Sequence, residues 1–179
     1  TTYSEWRVSP QAAAGKICQD CHMPSTSGKT VRPELGLGRA SINLHDISGM
    51  HSIEQVRRAA SVKVLKVARE QPETAVVLVE VANVGSGHSI PTGLPTRKLV
   101  LEVVLLVDSR EARRFERVYQ KVLLDASGTI ITEDYRAFLD SRKLLQDTRL
   151  LPGERRQEKF VTSVPAKGVL QAVVNLRYL

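Results

Sequence analysis

The chain has two cysteines, and both fall in one five-residue stretch, Cys18-Gln19-Asp20-Cys21-His22. This is the C-x-x-C-H spacing of covalent c-type haem attachment. The spacing has a chemical reason. Two thiols add to the two vinyl groups on one edge of a porphyrin, and two intervening residues span that edge. His22 then follows where it can bind the iron from the proximal side. Three other uses of a Cys pair compete. A structural zinc site needs four ligands, and there is no second Cys pair to complete it. A redox dithiol wants a βαβ context, and none follows. A lone disulfide leaves His22 without a role. The motif therefore predicts one covalent haem c on Cys18 and Cys21, with His22 as proximal iron ligand and Met23 and Pro24 beside it. It also requires residues from elsewhere in the chain to wrap a large flat cofactor.

The 179 residues leave room for one or two small domains with a real core. Aromatic residues make up only 4% of the chain, so Val and Leu must fill that core, which favours strands. Apolar runs such as Val103 to Val107 fall far short of the ~20 residues of a membrane span. Haem is attached to this motif outside the bacterial cytoplasm, so a periplasmic or other extracytoplasmic location is expected. The start at Thr1 then implies either that a signal peptide or anchor was removed or that this is the C-terminal piece of a longer chain.

The net charge is +7. Its Arg-rich part, Arg110, Arg113, Arg114 and Arg117, is interleaved with Asp108, Glu111 and Glu116. No basic helix or aromatic platform accompanies it, so no nucleic-acid partner is expected. Solvated strand faces explain most of these charges. Docking to an acidic protein or to anionic lipid headgroups is the functional alternative.

The chain divides near residue 60. Residues 1–60 hold both cysteines and His22, His45 and His51, with many Gly, Ser and Pro. Ser4 to Ala14 suits a short helix carrying Trp6, residues 24–44 read as loop, and Ser52 to Ala60 suits a helix capped by Ser52. A cofactor would give this segment the core it lacks. Residues 61–179 read as strands: 62–67, 75–84, 99–107, 117–124, 158–164 and 169–178, with one short helix around Tyr135 to Leu139. Turn signals such as Gly85-Ser86-Gly87, Ser127-Gly128 and Pro152-Gly153 separate them. The expected fold is mainly β: a haem-binding region, 1–60, packed on an antiparallel, immunoglobulin-like β-sandwich, 61–179.

The iron needs a sixth ligand or an open site. The candidates are His45, His51 and His88, with Met50 between the first two. His45 lies in the loop-rich segment, and His51 opens a helix. His88 sits among glycines, in Gly85-Ser86-Gly87-His88-Ser89-Ile90-Pro91-Thr92-Gly93, where the backbone can approach a flat ligand.

Several of these elements resemble the last haem-binding segment and C-terminal β-domain of bacterial multihaem c-type cytochromes. They are Tyr3-x-Glu5-Trp6-x-x-Ser9-Pro10 followed by Cys18-Gln19-Asp20-Cys21-His22-Met23-Pro24, His45-x-x-x-Gly49-x-His51, Asn83-Val84-Gly85-x-Gly87-His88-x-x-Pro91-Thr92-Gly93 followed by Arg97, and Asp147-Thr148-Arg149-Leu150-x-Pro152-Gly153-Glu154. The resemblance implies electron transfer through bis-histidine haem. It favours His45 as distal ligand, with His88 the first alternative and His51 the second. Those relatives carry several C-x-x-C-H motifs and this chain carries one, so a single-haem module is expected. Its expected partners are other redox proteins, multihaem cytochromes or a membrane electron-transfer complex, reached at a membrane surface through a partner or a removed anchor. Two alternatives stay open: a haem enzyme with a free sixth position acting on a small molecule such as peroxide, and a structural subunit with incidental haem.

Overall fold

The computed structural model describes residues 1–28, 33–35, 41–49 and 51–179. The expected 4–14 helix is broken in two, α1 (Thr2–Arg7) and α2 (Pro10–Ala13). Ser9 causes the break. It leaves the helical conformation, its hydroxyl accepts the Ala12 amide, and Pro10 takes the first position of the new helix, where no amide is missed. The C-x-x-C-H motif forms α3 (Cys18–His22). The segment expected as loop contains a small antiparallel ladder, β1 (Ser25–Ser27) with β2 (Ser41–Asn43). Helix α4 (Ile53–Ala59) forms as expected, with the Ser52 hydroxyl accepting the Gln55 amide.

Strands follow directly: β3 (Ala60–Gln71), β4 (Thr74–Asn83), β5 (Leu99–Val107), β6 (Arg110–Tyr119) and β7 (Lys121–Leu124). After helix α5 (Asp134–Leu139) come β8 (Lys143–Asp147), β9 (Arg155–Ser163) and β10 (Leu170–Tyr178). Two antiparallel sheets, in orders β3-β4-β9 and β10-β5-β6, form a β-sandwich, with β7 and β8 pairing separately. The fold is therefore mainly β, with short helices concentrated at the N-terminus.

Position in the sheet explains composition. Strands β4 and β5 are the central strands of their sheets, and both are buried on most of their length, which is why they read as near-continuous apolar runs. Val77, Val79 and Val81 face Leu99, Leu101, Val103 and Leu105 across the core. Edge strand β10 alternates instead, and Leu170, Ala172, Val174, Leu176 and Tyr178 pack on that core as their spacing predicts. Three strands differ from expectation, and one of them, β8, is not among the expected strands at all. The 117–124 run is cut at Gln120 into β6 and β7, which belong to different sheets. Strand β6 begins at Arg110, because Asp108 and Ser109 turn the chain with φ of 50° and 64°. That turn has no glycine to announce it in the sequence. Among the described residues no helix is long and apolar enough to cross a membrane.

A buried ion cluster ties the N-terminus to the sandwich. Arg149 is 8% exposed. Its Nε and Nη2 donate to the two carboxylate oxygens of Asp147, each at 2.9 Å, and Nη2 also donates to Glu5 of α1 at 2.8 Å. Burial is the largest single influence and pushes both carboxyls up, but the Arg149 guanidinium, backbone N–H bonds and Lys121 together hold them below their ordinary range. Arg149→Ala would strand two carboxylates, so we expect a loss of roughly 2–4 kcal/mol in denaturant unfolding. The lowered carboxyls also set a pH dependence. The unfolded chain binds more protons than the folded one, so this stability is present above the ordinary carboxylate values of 4.5 and 3.8. It is lost as pH falls through the folded-state values. Unfolding midpoints measured from pH 6 to pH 3 should fall less steeply in the Arg149 variant than in the parent.

Candidate functional site

A cavity of about 630 Å³ opens where α1, α2, α3, α4 and the 84–98 loop meet the end of the sandwich. This lies within the ordinary range for cofactor sites. In α3, Cys18 and Cys21 sit three residues apart, so both thiols lie on one helix face. Both are free and exposed, and both line the cavity. The first turn is held by Asp20, whose carboxylate accepts the Ile17 amide at 2.9 Å. His22 ends the helix. Its carbonyl accepts the Ser48 amide at 3.0 Å, and its Nδ1 is bonded in turn to the Ser48 carbonyl. A carbonyl can only accept, so Nδ1 carries a hydrogen, and Nε2 is the ring nitrogen left for another partner.

The 84–98 loop delivers His88 to the opposite wall. Its anchor is Asn83, the last residue of β4, which has no exposed surface. The Asn83 amide donates to the carbonyls of His88 (2.8 Å) and Leu150 (3.2 Å), and its oxygen accepts the Ser86 amide (3.1 Å). The amides of Val84 and Gly85 donate to Ala59 O at the end of α4. Gly85 is required here, because a Cβ would lie 2.1 Å from the Arg58 carbonyl oxygen. On the other side Gly87 lies against Trp6, Ser9 and Gln11, where a Cβ would meet atoms at 3.1–3.3 Å. The Tyr178 hydroxyl closes the loop's far end, accepting the Thr92 amide at 2.9 Å and donating to the Thr92 carbonyl at 2.8 Å. The Ile90–Pro91 bond is cis.

His88 Nδ1 lies 3.1 Å from the Ser89 carbonyl and donates to it. The Ser86 hydroxyl lies beside the ring, 3.0 Å from Nδ1 and 3.3 Å from Nε2, but gives its hydrogen to the His88 carbonyl at 2.9 Å. Burial pushes the His88 imidazole below its ordinary pKa, further than its bond to Ser89 raises it. It is thus a neutral ring with its Nε2 lone pair available.

The rings of His22 and His88 face each other with centroids 6.2 Å apart and planes 15° from parallel. A bare aromatic pair can sit at such a distance. Two imidazoles bonded through Nε2 to one metal ion from opposite sides need it: bonds of about 2.0 Å, plus about 1.1 Å from each nitrogen to its centroid, give about 6.2 Å. Each ring also has its Nδ1 on a backbone carbonyl, the usual outer partner of a metal-bound histidine. These residues fit haem c: two thiols on one face, an imidazole on each wall, and a largely apolar space between. Gln11 adds to the fit, because its buried Oε1 on the cavity wall has no hydrogen-bond partner in the protein.

The other sequence candidates lie elsewhere. His45 is exposed in the turn after β2 and is not on the cavity wall. His51 is exposed and does line the cavity. Met23 and Pro24 lie past the end of α3 and hold the small ladder: Met23 O accepts the Asn43 side chain at 2.7 Å, and Pro24 O accepts the Leu44 amide at 3.0 Å. Met50 lies outside the described residues. Sequence reasoning placed Asn83, Glu5 and Arg149 in motif elements but gave none of them a supporting role. Asn83 looks like an ordinary turn residue, and the two charges look like solvated ones, until long-range packing brings them under the His88 loop.

No family model matches the sequence, and no curated protein matches it. Among solved structures the chain resembles a penta-heme cytochrome c552 from Thermochromatium tepidum, with a TM-score of 0.68 at 23% sequence identity. The match covers 99% of this chain and 42% of that one, so the chain spans less than half the length of its structural neighbour. At this identity the likeness establishes a shared fold: the arrangement of short helices on a β-sandwich found here also occurs as part of a larger cytochrome.

Proposed function

We propose that this chain is a single-haem c-type cytochrome module that transfers one electron at a time. The observation that carries the reading is the facing pair His22 and His88, 6.2 Å apart above a C-x-x-C-H helix. The distal ligand in this reading is His88, the first alternative of the sequence analysis, in place of His45. Cys18 and Cys21 would hold the porphyrin through thioether bonds on one face of α3. His22 and His88 would bind the iron, each oriented by its Nδ1 bond to a backbone carbonyl. Haem c, when bound, supplies an iron that takes up and releases a single electron.

The chain's own residues then do three things. The Asn83 and Ser48 contacts keep both imidazoles in place through a change of oxidation state, so little rearrangement opposes electron transfer. Trp6 and Gln11 cover the His88 side. Two imidazoles on opposite walls would leave bound iron no open position for a small-molecule substrate, which favours electron transfer over a peroxide-consuming enzyme. The count of one haem follows from the two cysteines. An extracytoplasmic location follows from where such haem is attached. An electron carrier needs a donor and an acceptor, and we propose other redox proteins for both, multihaem cytochromes foremost, given the fold shared with part of one.

Two experiments test this. After expression with the haem-attachment machinery, mass spectrometry of the denatured chain should give the polypeptide plus one haem; the bare polypeptide mass would refute covalent attachment. The second compares His88→Ala, His45→Ala and His51→Ala in the haem-loaded protein. The parent should show low-spin bands, unchanged by carbon monoxide in the reduced state. The His88 variant should become high-spin and bind carbon monoxide, while the other two stay low-spin. Loss of the low-spin bands in the His45 or His51 variant, with the His88 variant unaffected, would move the distal ligand there. A near-infrared band from Met ligation in the parent would refute a bis-histidine site, and with it the lower potential such a site implies.

A further inference from the structure

The peptide group between His88 and Ser89 is gripped at both ends. Its carbonyl accepts from Asn83 (2.8 Å) and Ser86 (2.9 Å), and its N–H donates to Glu5 Oε2 at 3.1 Å. Neutral partners thus hold one end, and a carboxylate holds the other. Glu5 comes from α1, far away in sequence, and its other oxygen is bound to the buried Arg149. The hydrogen bond to Ser89 leaves the Glu5 carboxylate little freedom. It is neither a surface charge nor part of the covalent haem motif.

The charges of this cluster do not cancel. Glu5 and Asp147 contribute two negative charges and Arg149 one positive, so one negative charge remains. Its nearest part to His88 is the Glu5 carboxylate, which is bonded to Ser89 and whose side chain is 19% exposed. Lys121 also acts on both carboxylates, but as the weakest of the influences named on each it offsets this charge only in part. At the His88 ring the field of Glu5, which favours positive charge, outweighs that of Arg149, which opposes it.

We propose that Glu5 is a positioning residue for His88 and, together with Arg149 and Asp147, supplies the fixed negative charge that lowers the reduction potential of the iron this site holds. The proposal rests on the reading of His88 as axial ligand. Oxidised iron carries one more positive charge than reduced iron, so a nearby carboxylate held in a poorly hydrated place stabilises the oxidised form. The same carboxylate, by fixing the 88–89 peptide, fixes the direction from which the imidazole leaves the backbone. Removing the charge and removing the contact should therefore have separable effects.

The test uses the haem-loaded protein and measures midpoint potential by spectroelectrochemistry and ligand orientation by electron paramagnetic resonance. Glu5→Gln keeps an oxygen for the Ser89 amide and removes the charge. We expect it to shift the one-electron equilibrium toward the reduced form by three- to tenfold, tenfold being 59 mV, with the resonance of the low-spin iron little changed. Glu5→Ala removes the contact as well and should also change the spread of the low-spin g values. Asp147→Asn, on the far side of Arg149, should raise the potential by less, and it serves if the Glu5 variants fail to load. Glu111→Gln, on the exposed face of β6, should leave the potential as it is. A potential changed less than twofold in the equilibrium by Glu5→Gln, or by Asp147→Asn where the Glu5 variants do not load, overturns the proposal. The ligand reading is judged separately, by the spin state of His88→Ala. If that variant is high-spin and the potential is indifferent to Glu5, the site stands and only the tuning role is lost. If it stays low-spin, the ligand reading fails and the proposal with it.

Discussion

Two imidazoles from distant parts of the chain must be held toward one another across the cavity, and a ring has few ways of being held. Each uses its Nδ1 for a backbone carbonyl, Ser48 O for His22 and Ser89 O for His88. Those carbonyls are useful only if the backbone behind them is fixed. For His22 this takes the reciprocal bond from the Ser48 amide. For His88 it takes a buried polar cluster with Asn83 at its centre, since a buried amide with unmade bonds would be costly. The site is thus supported by hydrogen bonds that must all be made together, and little of it rests on apolar packing.

The sandwich makes that support rigid. Asn83 ends β4 and Leu99 begins β5, the two central strands, so the 84–98 loop spans from one sheet to the other across the end of the core. A loop anchored on central strands inherits their stability. It is further pinned to β10 by Tyr178 and to the region after β8 by the Ile90–Leu150 bridge. The helices on the other side are short, with no fully buried residue in α1, α2 or α3. Between them and the sandwich lies the cavity. A cofactor there would do for the N-terminal region what a core does for the sandwich, giving its apolar faces a common surface to cover.

The surface charges are less free than the net charge suggests. Glu102 is bracketed by Arg114 and Arg177 at 2.8 and 3.5 Å, and Glu80 meets Arg155 at 2.8 Å. These pairs lie across neighbouring strands, and mutual neutralisation leaves a weaker field for steering partners than a count of basic residues implies.

The motif chemistry was legible in the sequence because it is local. The spacing of Cys18, Cys21 and His22 is a property of five consecutive residues, and it needs no tertiary structure to be read. The sandwich was legible because period-two alternation in 170–178 and the apolar runs of β4 and β5 report burial directly. The turn at Asp108-Ser109 and the division of 117–124 between two sheets were not, since neither carries a glycine or proline to mark it. The partner of His22 was not legible either. His45, His51 and His88 differ little as residues, and proximity in sequence to the motif is no guide to proximity across a flat cavity. Only the closure of the 84–98 loop over the end of the sandwich places His88 opposite His22. That closure depends on Asn83, Glu5 and Arg149, whose roles exist only once burial has removed water as their alternative partner.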